Sequence, residues 1–382
     1  MKKKSANKKP LHIAVGVALL VALAIGMHVL SLRHRLQAKV EAVQKGIEEW
    51  AEDGRDPSEA IRIMQKVPEA FKNDDVTEAE KDIDEAQAAL NVPKDKRPRA
   101  RAAPGEEPSD MFAEPRQVTI DGYTGQAMEP FISPDGKTLF FNSENDPGVN
   151  TDLFFAERTG PDRFKFMGEL KGANSKTIDA AASMDKERHL FFTSPRIYEE
   201  TRQSIFRGDF DGHQLTDVHP ASGDINPKIR GHINMDVGIS PDGNTMYISR
   251  AIFKDGLPAP KESDLMVAHQ KNFIFTMDPR SDEIMKNINT KQLEYAPAIS
   301  DDGRTLFFTR AQAPEEAPSG PQFRIMVATR DSDTAPFGKP RVLTAMSGMV
   351  EAPSVPLDMS EIFFHKKVNG KWTIFRAVRK KH

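Results

Sequence analysis

One short phrase recurs along this chain and constrains its fold more than any other feature. It is a Ser-Pro-Asp-Gly turn followed by consecutive apolar and aromatic residues. The phrase reads Ile132-Ser133-Pro134-Asp135-Gly136-Lys137-Thr138-Leu139-Phe140-Phe141. It returns as Ala182-Ser183-Met184-Asp185 before Leu190-Phe191-Phe192, and as Ile239-Ser240-Pro241-Asp242-Gly243 before Met246-Tyr247-Ile248. Ile299-Ser300-Asp301-Asp302-Gly303 precedes Leu306-Phe307-Phe308, and Val355-Pro356-Leu357-Asp358 precedes Ile362-Phe363-Phe364. From Ser133 through Ser183, Ser240 and Ser300 to Pro356 the steps are 50, 57, 60 and 56 residues. Self-similarity at such a period marks a repeat architecture.

Each unit reads as four strands. In the first, Met128 to Ser133 and Thr138 to Ser143 flank the tight turn, where proline presets φ and glycine accepts the positive φ that follows. Thr151 to Arg158 and Arg163 to Leu170 complete it, and later third strands read Gln203 to Phe210, Ser263 to Gln270, Phe323 to Arg330 and Trp372 to Val378. The second strand is apolar at consecutive positions, as expected where both faces of a sheet are covered. The fifth unit runs out after its third strand, while Arg116 to Ile120 is an orphan strand before the first. Placed as the fourth strand of the last sheet, it closes a ring and removes an exposed edge. Five units over residues 111–382 give about 54 residues each. A sixth would have to come from Asp211 to Asn234 or Ala311 to Gln322, which read as loops.

Ser133 to Phe141 resembles the PD40 repeat, the WD40-like propeller motif of TolB-type periplasmic proteins. Asp152 to Arg158 looks like its third-strand companion, and Pro336 to Leu343 like its fourth-strand entry. The resemblance covers about 270 of 382 residues. It implies an all-β propeller of five four-stranded blades closed by an N-terminal strand, with six blades the alternative. It says little about activity, because propellers host binding and catalysis alike.

The rest of the chain reads as an address and a spacer. Leu11 to Leu30 is almost wholly apolar and long enough to cross a bilayer as a helix. Lys2, Lys3, Lys4, Lys8 and Lys9 precede it, which places residues 1–10 in the cytoplasm and the body outside it. An uncleaved inner-membrane anchor and a periplasmic propeller follow, with a cleaved signal peptide as the rival reading. Residues 31–90 read as an α-helical stalk: Leu32, Leu36, Val40, Val43, Ile47 and Trp50 share one helix face. Asp56-Pro57 reads as a second helix start, and Thr77-Glu78-Ala79-Glu80 as a capping box. Residues 91–110 form a linker, with Lys94, Lys96, Arg97, Arg99 and Arg101 before Pro104 and Pro108. A formal net charge of -3 argues against nucleic-acid binding. The absence of cysteine removes disulfides, thiol nucleophiles and thiolate metal sites.

Candidate chemistry clusters at one end of the ring. Four residues before the anchors stand Glu129, Asp179, Asp236, Ala296 and Ala352, at the start of each innermost strand and hence at the rim of the axial channel. Five-bladed glycosidases also carry three acids on inner strands, and a carboxylate pair is the basis of glycoside hydrolysis. Glu294 and Glu351 lie close by in another register. Second strands run back to the same face and end at Ser143, Ser194, Arg250, Arg310 and Lys366. Acids on three blades facing cations on three blades would polarise the mouth for a protein or glycan ligand, with Glu129, Asp179, Asp236, Arg250, Arg310 and Lys366 as its contacts. The alternatives are inter-blade ion pairing and, for the three acids, catalysis as a glycan hydrolase. No cofactor is implied. Histidines at 189, 213, 219, 232, 269 and 365 lack metal-ligand spacing, and no serine triad or phosphate loop is present.

Overall fold

The repeated turn folds because its side chains replace the backbone partners that a tight turn leaves over. Ser133 Oγ donates to Asp135 Oδ1 at 2.6 Å and accepts the amide of Thr138 at 2.9 Å. Ser240 with Asp242 and Thr245, and Ser300 with Asp302 and Thr305, repeat these bonds. Gly136, Gly243 and Gly303 sit at φ 73°, 75° and 67°, where a Cβ would be strained. The worn copies keep part of the device, that of blade 2 with one residue fewer. Asp185 Oδ1 takes the amides of Glu187 and His189, both at 2.9 Å, and Asp358 takes that of Ser360.

The computed structural model describes residues 30–53, 55, 57–73, 75–91, 106–145, 150–253, 260–312 and 322–381. They fall into two compact units, one helical and one built of sheets. The sheets are five blades, each strand antiparallel to the next. Blade 1 comprises Met128–Ile132, Thr138–Asn142, Leu153–Gly160 and Arg163–Glu169. Blade 2 comprises Ala180–Met184, His189–Thr193, Ile205–Phe210 and Leu215–Pro220. Blade 3 comprises His232–Ile239, Thr245–Ile252, Glu262–Lys271 and Ile274–Met277, and blade 4 Leu293–Ile299, Thr305–Ala311, Phe323–Thr329 and Arg341–Leu343. Blade 5 supplies Val350–Ser354, Glu361–Val368 and Lys371–Val378. The five innermost strands touch one another in blade order, and that of blade 5 returns to that of blade 1. The sheet unit is therefore a closed five-bladed β-propeller. The stretch from Asp211 to Asn234 holds the outer strand of blade 2 and a short strand, Gly223–Asp224, added to blade 3, so no sixth blade exists among the described residues.

Consecutive apolar residues on the second strand serve opposite blade interfaces. Phe140 packs with Phe192, Phe206 and Phe210 of blade 2, whereas Phe141 packs with Phe363 and Ile374 of blade 5. Both rings are fully buried, each contributing about 1.5–3 kcal/mol through area removed from water.

Ring closure differs from the sequence expectation. The segment from Glu107 to Asp121 is a strap shared among three blades. Glu107–Ser109 runs parallel to Arg341–Leu343 of blade 4, although it was expected to belong to the linker. Arg116–Gln117 pairs with Phe375 and Arg376 as the fourth strand of blade 5, and Thr119–Asp121 runs parallel to Arg163–Lys165 of blade 1. The chain turns at Val118, which is buried between the last two pairings, so one expected strand becomes two. Arg158 of blade 1 reinforces this seam by clasping Glu361 of blade 5 at 2.5 and 2.9 Å, and Arg376 also binds Glu361.

The helical unit has its own core. Helices α1 (Leu30–Glu52), α2 (Ser58–Met64), α3 (Val67–Lys72) and α4 (Val76–Leu90) bury Leu36, Val40, Val43, Ile63, Val67, Phe71 and Ile83 together. The cap of α4 is Asp75, whose carboxylate accepts the Glu78 amide at 2.9 Å, and not the expected Thr77. Pro57 stands at the start of α2 without a side-chain cap. Among the described residues no helix is long and apolar enough to cross a membrane, and residues 11–29 of the expected anchor lie outside them.

The turn lock is testable. Ser300→Ala and Asp185→Ala should each cost about 1–2 kcal/mol in urea unfolding, because buried turn amides lose their acceptor. The far-ultraviolet circular dichroism without denaturant should stay unchanged.

Candidate functional site

The channel end is shaped by a defect repeated in every inner strand. Pairing with the second strand slips between Met128 and Phe131, Ala180 and Ser183, Asn234 and Asp236, Tyr295 and Ala298, and Glu351 and Ser354. Such bulges re-aim side chains and amides at barrel and propeller rims. Four of them place a non-glycine residue in the left-handed region: Glu129 (φ 47°), Ala181 (53°), Ala296 (51°) and Ala352 (55°).

Each bulge is held by the preceding blade. The amides of Ala181, Ala296 and Ala352 donate to Asn142 Oδ1 (3.3 Å), Ser249 Oγ (3.1 Å) and Thr309 Oγ1 (2.9 Å). Thr193 Oγ1 donates to the Met235 carbonyl at 2.6 Å. The ring closes where the Glu129 amide donates to His365 Nδ1 at 2.9 Å. Asn142, Thr193, Ser249, Thr309 and His365 occupy one position, the buried polar residue that follows the apolar run.

This frame corrects the carboxylate set. Met184 pairs with Leu190 as Ile132 pairs with Leu139, so Asp185, not Ser183, is the counterpart of Ser133. The blade 2 counterpart of Glu129 is accordingly Ala181, and Asp179 lies two residues away. Asp179 is fully buried, bonded to Arg196 (2.5 Å) and to the amide and hydroxyl of Ser175 (2.5 and 2.8 Å). Its counterparts in blades 3 and 4, Asn234 and Glu294, hold Arg250 (3.2 Å) and Arg310 (2.7 Å). These arginines are clasps and do not present charge at the mouth. Arg250 Nη2 donates to the Ile225 carbonyl, while Arg310, 4% exposed, also binds Glu106 and the Ile288 carbonyl. Lys366 is half-buried, paired across the strands with Val350 and Thr373. The expected side-to-side polarity of the mouth is absent because two of its three cations are consumed within the blades.

What does gather at the channel end is Glu129, Asp236, Glu351, Tyr295 and His365. Glu129 Oε1 accepts from Asn145 at 2.7 Å and Oε2 from the Ala181 amide at 3.1 Å. Asp236 Oδ2 accepts from the Ala296 amide at 3.1 Å. Glu351 Oε2 accepts from the Tyr295 hydroxyl at 2.6 Å, while its Oε1 stands 3.6 Å from His365 Nε2. Glu129 is only partly screened from water but surrounded by protein, and burial, then Asp236 and Glu351, push its carboxyl up to about 8. Burial also pushes Asp236 up to about 6, against the opposing Ala296 amide and Ser249 hydroxyl. Burial and the neighbouring Glu351 raise the Tyr295 hydroxyl well above its usual range. The axial space behind these groups, about 60 Å³, runs between Glu129, Asp236 and Ala296 at one end and Pro134, Pro241 and Leu357 at the other. That volume holds a few waters. No cluster with metal-ligand geometry occurs among the described residues.

Sequence reasoning thus places Glu129 and Asp236 and misses the partnership of Glu351, Tyr295 and His365. The missing signal is the polar residue after each apolar run, which identifies His365 as the seam residue of blade 5.

No family model matches the chain, and no curated protein sequence does. Among solved structures it is similar to a TolB candidate from Agrobacterium tumefaciens, at 17% identity and a TM-score of 0.33, covering 64% of this chain and 70% of that one. A candidate glycoside hydrolase from Bacteroides ovatus shares 10% identity with a TM-score of 0.47, covering 74% and 96%. A candidate exo-β-1,3-galactanase from Bifidobacterium bifidum shares 13% identity with a TM-score of 0.46, covering 72% and 94%. Such distant likenesses carry no argument about activity, and the propeller assignment rests on the closed ring of inner strands.

Two measurements test the site. His365→Ala should cost about 1–3 kcal/mol, since the Glu129 amide loses its buried acceptor. His365→Asn should recover part of that, because Asn142 does the same work in blade 1. A raised carboxyl binds its proton more tightly in the folded than in the unfolded chain. The stability that Glu129 and Asp236 contribute is therefore complete below about pH 4 and lost as pH rises through about 6 and 8. Urea unfolding from pH 5 to 9 should show this decline, with a shallower slope in Glu129→Gln.

Proposed function

We propose that the chain is a binding or scaffolding propeller tethered to the inner membrane through residues 11–30, with its propeller in the periplasm. Its partner, a protein or a glycan, docks at the acidic channel mouth. The observation that carries this reading is the commitment of the rim carboxylates. Glu129 and Asp236 each accept the bulge amide of the next blade, and Asp179 is sealed by Arg196. A hydrolase needs its pair free on either side of a bound sugar.

One observation favours the second reading, a five-bladed glycan hydrolase. Glu129 keeps its proton near neutrality, as a general acid does, in company with a more acidic Asp236.

A single assay separates the two. The full chain in detergent is incubated with envelope glycans labelled at the reducing end. Saturable binding with no new reducing ends is the outcome expected of a binding module. Turnover that disappears in Glu129→Gln would establish the hydrolase instead.

A further inference from the structure

Outer edges in this propeller take short parallel strands from elsewhere in the chain. Thr119–Asp121 lies along blade 1, Gly223–Asp224 along blade 3 and Glu107–Ser109 along blade 4. The strand on blade 4 has little packing to hold it. Its three residues face Arg341, Val342 and Leu343, Pro108 has no amide to donate, and only Ser109 is buried. Firm anchorage begins further on. The Met111 carbonyl accepts the Lys380 amide at 2.9 Å, and Phe112, 2% exposed, packs with Phe307 and Leu343.

What holds residues 106–109 is charge. Glu106 places one carboxylate oxygen on Arg310 Nη1 at 2.8 Å and the other on Arg324 Nη1 at 2.9 Å. Both arginines are 4% exposed. Glu294 gives Arg310 a second carboxylate, whereas Arg324 has no other among the described residues and rests its Nη2 on the neutral Gln292 side chain. Arg324 Nε is buried without a hydrogen-bond partner. A guanidinium taken out of water is costly unless its donors are met, so Glu106 is an incomplete fit for this pocket.

We propose that the outer edge of blade 4, with Arg310 and Arg324 at its end, is a docking site for an extended, carboxylate-bearing segment of a partner protein. Residues 106–109 occupy it as the chain's own stand-in. The partner strand pairs parallel with Arg341–Leu343 and sets an acidic side chain where Glu106 lies. Main-chain hydrogen bonds supply affinity, while two buried guanidiniums demand a carboxylate and so select the sequence. Arg324 Nε is the donor left for a better-fitting ligand. Release of residues 106–109 leaves Phe112 and the rest of the strap in place, so the ring stays closed. The site is built on the outermost strand, the channel mouth on the innermost ones, and neither depends on what binds the other.

Fluorescence anisotropy of a labelled peptide with the sequence Pro104 to Met111 tests the exchange, using the full chain in detergent. The parent should not bind it, because its own segment holds the site at an effective concentration of about 1 mM or more. Glu106→Ala should bind it with a Kd on the order of 100 μM. Binding to that variant should weaken at least about tenfold when the peptide carries alanine in place of its first glutamate, and likewise when Arg324→Gln is added. No saturable binding to a folded Glu106→Ala chain, or equal binding to the parent, would overturn the site. So would equal affinity for the alanine peptide or in Arg324→Gln. Displacement by acetate as effective as by the same concentration of unlabelled peptide would leave an anion pocket and overturn strand docking. Should Glu106→Ala fail to fold, hydrogen exchange in the parent decides. The Thr344 amide, which donates to the Ser109 carbonyl at 3.0 Å, should exchange by local opening, at least about a hundredfold faster than the Phe307 amide inside blade 4. Equal exchange of the two would show that the segment does not release and would overturn the proposal.

Discussion

The structure depends on one repeated hydrogen bond, between a bulge in each inner strand and a buried polar side chain on the preceding blade. Apolar packing holds neighbouring blades together but is non-directional and would tolerate sliding. The bulge bonds fix the register of each blade against the last, because a buried amide without its acceptor is costly. Five such contacts make a ring, and the ring fixes the channel end. Glu129 is part of it twice, donating its amide to His365 and accepting the Ala181 amide on its side chain.

That economy explains the charges. Residues at the second-strand exits of blades 3 and 4, Arg250 and Arg310, turn into their own blades to satisfy Asn234 and Glu294 and nearby carbonyls. Glu106, at the start of the strap, adds a second carboxylate to Arg310 and binds Arg324 at 2.9 Å. Asp179, Glu294 and Glu361 are thus compensated by arginines within and between the blades, whereas among the described residues no arginine or lysine pairs with Glu129, Asp236 or Glu351.

How legible was this in the sequence? The turn and its apolar run specify the strands, the blade count and the two-sided burial of Phe140 and Phe141. Local chemistry suffices there, since each turn locks itself within six residues. The slip at blade 2 has an equally local cause: Asp185 performs the serine's task, so the serine nearest the motif, Ser183, is not its counterpart. Ser183 instead accepts the Ile239 amide of blade 3 at 3.0 Å, a partner 56 residues away. Two residues of error were enough to put Asp179 at the rim on paper while its carboxylate is sealed against Arg196.

By itself the sequence determined the repeat, the strand order within each blade, the presence of a closing segment before the first repeat, and Glu129 and Asp236 as channel-end acids. These follow from periodicity and turn chemistry, which act over a few residues. Only the tertiary structure decided that the closing segment is shared among three blades, that the exit arginines are spent inside the blades, and that Glu351, Tyr295 and His365 join the acids. Those outcomes depend on which groups meet across blade interfaces, and bulges that shift register by one residue decide that. The repeated phrase is the scaffold; Glu129, Asp236 and Glu351 at one end of its ring are what the scaffold holds.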